Sequence, residues 1–132
     1  MTSTRNRVIS KRTFYTGFLL AIAKLNKTEF VADGHSFHRA FDEAVRTAKG
    51  IARAPRIEGQ QWMQLDPVFG VVKEADEMIL FGERERLLTL GNPDLLKASF
   101  KLTSDEAASE LDEIGNTRLF EKMAKVFIAK LG

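Results

Sequence analysis

His35, His38 and Asp42 stand three and four residues apart in "ADGHSFHRAFDEAVRTAKG", which contains both histidines of the chain. On an α-helix that spacing sets all three on one flank. Two imidazoles and a carboxylate are a conceivable set of ligands for a divalent metal. Catalytic zinc, however, draws three protein ligands from recognisable spacings, and structural zinc draws four. His35 also falls at the helix start, where its side chain need not follow the helical flank. The apolar arc of the helix is Phe37, Ala40, Phe41, Ala44, Val45 and Ala48. His38 sits at its rim, with His35 and Asp42 just outside. The sequence therefore predicts a solvated flank with a His38–Asp42 contact, no metal site and no other cofactor.

Other catalytic chemistry finds less support. The chain has no Cys, which excludes disulfides, thiolate catalysis and iron–sulfur clusters and suits a reducing, cytoplasmic compartment. Ser36, between the two histidines, reads as a helix cap, because no Gly-x-Ser-x-Gly elbow surrounds it. No glycine-rich phosphate loop is present. In "GERERL", Glu83 and Glu85 would share one face of a strand, but Arg84 and Arg86 interleave with them. That pattern predicts a charged strand edge of the kind that discourages aggregation, not an acid–base pair. A non-enzymatic role is expected.

Charge is more informative than any motif. Residues 1–59 carry eleven Lys/Arg against five Asp/Glu, a net +6, whereas residues 60–132 carry nine against thirteen, a net −4. Such a division implies either a polyanionic partner for the first half or two halves that pack on each other. The basic positions form two groups: Arg5, Arg7, Lys11 and Arg12 near the start, and Arg46, Lys49, Arg53 and Arg56 further on. Gln60, Gln61 and Trp62 follow the second group and could add amides and one aromatic ring for contact with bases.

These residues must be held by a domain of ordinary composition, 132 residues with 44% hydrophobic and 29% charged side chains. Residues 1–8 are expected to be a flexible basic arm and residues 9–132 a single domain. Ser10 caps a helix to about Leu25 with a stripe of Phe14, Phe18, Ile22 and Leu25. Its apolar run is too short to span a membrane and is read as a folded helix rather than a targeting segment. A short strand is expected at 28–32, then a helix capped by Asp33 or Ser36 and ending near Lys49 at Gly50. Pro55 and Gly59 mark a loop with a short strand at Trp62–Leu65, and a third helix covers about Glu74–Phe81. "RLLTL" (86–90) and "KASFKLT" (97–103) read as two strands around the turn signal "GNPD". Thr103 and Glu106 form a capping box for a helix ending at Gly115. A last helix after Asn116 presents Leu119, Phe120, Met123, Val126, Phe127 and Leu131 on one broad face, expected first to finish the core and, in part, to pair with a second copy.

The fold class that follows is α+β, mostly helical, with a small antiparallel hairpin between helices. The order of its first elements is that of winged-helix domains, but the would-be reading helix carries Glu74, Asp76 and Glu77, which repel phosphates. Two functions are expected. One is a non-enzymatic protein-binding or adaptor role, with a protein partner or a second copy meeting the last helix through Phe120, Met123, Phe127 and Leu131. The other is nucleic-acid binding through Arg5, Arg7, Lys11, Arg12, Arg46, Lys49, Arg53, Arg56 and Trp62. No membrane contact is expected.

Overall fold

The computed structural model describes residues 8–51, 54–91 and 97–131. The elements run β1 (Val8–Ile9), α1 (Lys11–Lys24), β2 (Glu29–Val31), α2 (Gly34–Lys49), β3 (Arg56–Ile57), a 3₁₀ turn (Gln60–Trp62), α3 (Lys73–Arg84), β4 (Leu88–Leu90), β5 (Lys97–Phe100), α4 (Ser104–Ile114) and α5 (Thr117–Leu131). The domain is α+β and mostly helical. None of the described helices is long and apolar enough to cross a membrane.

Ser10 caps α1, its hydroxyl accepting from the Thr13 amide at 3.1 Å. The helix is buried well beyond the single stripe expected: Leu20, Ala21 and Ala23 are covered as well as Phe14, Phe18 and Ile22. A helix apolar on nearly every side belongs in the middle of a fold. Here α3, α4 and α5 all pack on it. Gly17 marks its closest approach to α5, because a Cβ there would stand 2.4 Å from a ring carbon of Phe120. The other large helix contact is α2 against α5.

Phenylalanine supplies the core. Phe127 lies edge-on to Phe18, Phe30 and Phe37 at 5.4, 5.4 and 6.1 Å between ring centres, and Phe41 joins Phe14 and Phe18 at 6.1 and 6.0 Å. These are the offset and edge-to-face spacings that aromatic rings prefer. Phe120, Met123 and Phe127 are fully buried inside the chain. This corrects the expectation of a partner or dimer face on the last helix. Only Leu131 of the four keeps part of its surface, at the rim of a shallow depression beside Phe30 and Lys97.

The expected hairpin is formed by β4 and β5, antiparallel with Leu88 opposite Phe100 and Leu90 opposite Ala98. The "GNPD" turn falls largely in 92–96, outside the described residues. On its other side β5 pairs with β2, giving the order β2–β5–β4. The winged-helix order of elements is thus met from α1 to β5. Residues 50–72, however, separate α2 from α3, and they add β3, which pairs in parallel with β1.

Two local expectations fail. The strand expected at Trp62–Leu65 is replaced by the 3₁₀ turn, because left-handed Gly59 (φ 73°) reverses the chain after β3. The third helix runs past Phe81 to Arg84, so Glu83 and Arg84 are helical and Glu85 is the cap, not a strand edge. Gly82 permits that extension by letting Leu19 and Leu88 approach the helix. Arg86 then takes a left-handed φ of 63° and donates to the Glu83 carbonyl, while Leu87 donates to that of Gly82. This is a Schellman stop made without glycine. The Thr103–Glu106 capping box is present, with both bonds near 3 Å. The Thr103 amide, then its hydroxyl, hold the Glu106 carboxyl below the usual carboxylate range.

Candidate binding surfaces

The histidine flank is exposed at His35, as expected, but closed at His38 and Asp42. His38 is buried, and its Nδ1 accepts the Val72 amide at 3.0 Å while Nε2 lies 3.6 Å from Asp76. Asp42, also buried, binds Arg46 one turn on at 3.0 Å and forms no hydrogen bond or ion pair with His38. The expected His38–Asp42 pair is therefore replaced by two separate ones. The cause lies outside α2: the segment before α3 folds back over this flank. His35 packs against the same segment, since a Cβ on Gly70 would sit 3.0 Å from its imidazole. Among the described residues no group of three His, Asp or Glu is placed to hold a metal ion. His38 holds the root of the loop to α2 by a hydrogen bond, and the exposed His35 lies against Gly70.

That loop is Asp66–Val71. The Asp66 carboxylate accepts from the amides of Val68 and Phe69 at 2.8 and 2.9 Å, as an Asx-type turn does. Its carbonyl accepts from Gly70 and its amide donates to Val71, each at 2.8 Å. Gly70 supplies the left-handed residue (φ 67°) that closes the loop. At the tip Val68 is 79% and Phe69 72% exposed, and Val71 behind them is half covered. Sequence reasoning missed this feature. Its signal was an apolar pair framed by Asp-Pro and Gly, which are turn residues around side chains that no neighbouring periodicity buries.

The first basic group separates from the second. Arg5 and Arg7 lie outside the described residues. Lys11 stands 3.9 and 3.8 Å from Glu74 and Glu77 of α3, and Arg12 bonds Glu85 at 2.9 Å. Tyr15 joins them by donating to Glu77 at 2.9 Å. Burial first, then that bond and the two carboxylates, pushes its phenol far above the ordinary range, so Tyr15 is no base. Here the basic first half neutralises the acidic second half. Of the acids of α3 only Glu74 is buried, while Asp76 and Glu77 stay exposed, and exposed carboxylates along a helix repel phosphates.

The second group is arranged differently. Lys49 and Arg56 line an open depression of about 430 Å³ with Ile51, Pro55 and Gln61. Ile51 also borders a second depression, about 540 Å³, lined by Arg46, Arg118 and Lys122. Arg118 and Lys122, one turn apart on α5, were not anticipated. Nothing in a local sequence window links them to Arg46, and only the packing of α5 on α2 does so. Arg53 lies outside the described residues. Val8, the first described residue, pairs with Arg56, so the chain enters the fold beside the first depression. Gln60 is not free for a ligand, because its amide accepts from Ile57 at 3.2 Å and donates to Val45 at 3.4 Å. Trp62, two residues on, is 73% exposed.

No family model matches the chain, and no curated protein or solved structure is similar enough to match it.

Proposed function

We propose that the protein is a non-enzymatic binding protein that engages a protein partner through the Asp66–Val71 loop, working in the cytoplasm. The observation that carries this reading is the pair Val68 and Phe69, held in solvent by a hydrogen-bonded turn. A single exposed apolar side chain means little. Two adjacent ones on an ordered loop differ, because the loop's conformational freedom is already lost before binding. Phe69 has the size and apolarity of a contact anchor that enters a pocket on a partner. The absence of cysteine suits a reducing compartment.

The test is site-specific photocrosslinking in the cells that make the protein. A benzophenone side chain at position 69 is expected to capture a discrete partner that the same group at Lys101 does not. Titration of the purified partner should then show affinity falling by at least about tenfold in Phe69→Ser, the usual scale for an anchor residue. Equal capture at both positions, or an unchanged affinity in Phe69→Ser, removes the loop as the contact.

A further inference from the structure

We infer that the two depressions joined at Ile51 are a binding track for single-stranded nucleic acid. Five cations line them, Arg46, Lys49, Arg56, Arg118 and Lys122, and no carboxylate appears among the described lining residues. That is unusual in a chain with eighteen Asp and Glu. It is sharper still beside α3, where Lys11 and Arg12 each have acidic partners. Arg46 is held by the buried Asp42 through Nε, yet its side chain stays 68% exposed, so one carboxylate orients it without covering it. The other four, Lys49, Arg56, Arg118 and Lys122, have no ion-pair partner among the described residues, and such cations along a surface attract phosphates and release the counterions condensed on them.

Single strands are favoured over duplex by what adjoins the cations. Gln61 lines the first depression, and Trp62, the next residue, is exposed. An exposed indole one residue beyond the lining can serve as the stacking platform that single-strand binders use, because every unpaired base offers a flat face. A duplex keeps its bases stacked on each other and out of reach. Neither depression is lined by residues of the 66–71 loop, so this track is separate from the protein-binding reading and does not depend on it.

The experiment is fluorescence anisotropy of a fluorescein-labelled oligo(dT) strand of about 20 nucleotides, and of a mixed-sequence duplex of equal length, titrated with the full chain across a salt series. The strand should bind more tightly than the duplex. Its log K should fall with log salt by about 0.7 per phosphate contacted, giving a slope of roughly −2 to −3.5 for three to five contacts. Arg118→Glu with Lys122→Glu should lower affinity at least about tenfold and flatten that slope. Trp62→Ala should weaken the strand several-fold and leave the slope unchanged, since stacking releases no counterions. Arg84→Glu with Lys101→Glu makes the same change in net charge elsewhere and should have little effect. Melting curves of each variant establish that it is folded. No binding at about 50 mM salt overturns the inference. So does equal loss in both double variants, which would mean net charge alone, or competition by poly-glutamate as strong as by oligo(dT), which would mean an acidic protein ligand.

Discussion

Phe127 and Phe69 are the same residue in opposite circumstances. Phe127 is wholly buried among three other rings where α5 crosses the core, and Phe69 stands at the tip of a turn with most of its surface in water. Of the ten phenylalanines, the other nine are buried or packed against the core. The difference teaches where to look for function. Residues that close the core are replaceable only at the expense of stability, whereas an aromatic kept in water by a locked backbone has no folding role to explain it. The loop is tied to α2 by the His38–Val72 bond at the root of the turn, and His35 lies against it at Gly70.

The comparison can be broken most directly at Phe127. Phe127→Ala should destabilise the domain by about 3–5 kcal/mol, the range for removing a large buried aromatic, and urea unfolding measures it. A loss below about 1 kcal/mol would mean that the ring cluster does not hold the core. His38→Ala comes next. It leaves the Val72 amide without its buried acceptor, for a loss of about 1–3 kcal/mol. Amide exchange should quicken at Val72 while that of α1 keeps its order; quickening spread evenly through the core would mean the bond is not specific to the loop. The smallest effect belongs to Phe69→Ser, which should change stability by no more than about 0.5 kcal/mol, as for surface positions without packing partners. A larger loss would show that Phe69 supports the fold and would weaken its assignment as a contact residue.

The two basic groups repeat the same lesson in charge. By composition they look alike, and the sequence offered both as candidates for nucleic-acid contact. Lys11 and Arg12 turn out to have carboxylate partners more than forty residues away, on or just after α3. Arg46, Lys49 and Arg56 face depressions with no acid in their linings, beside Arg118 and Lys122 from the far end of the chain. Neutralisation depends on which surfaces meet, and no window of sequence contains both sides of that contact.

Legibility followed the range of the interaction. The five helices, the Ser10 cap, the Thr103–Glu106 box and the pairing of Leu88–Leu90 with Lys97–Phe100 were readable because caps and periodicity act within one or two turns. The errors arose where distant packing intervened. His38 was read as the rim of a wet flank because nothing near it in sequence covers it, and the cover arrives from the segment that ends at Val72. The face of α5 was offered to a partner because its apolar width exceeds what a surface helix needs. That width exists because α5 packs on both α1 and α2.

By itself, then, the sequence determined the α+β class, the helices with their caps, the hairpin and the exclusion of cysteine chemistry. These follow from backbone preferences and side-chain types that act locally. Tertiary structure alone decided that His38 anchors a loop, that Lys11 and Arg12 meet acids of the second half while Lys49, Arg56, Arg118 and Lys122 line depressions without a carboxylate, and that Phe69 remains in water while Phe127 does not. Each of these depends on what a side chain meets across the fold, and burial and pairing are properties of contact rather than of position in the chain.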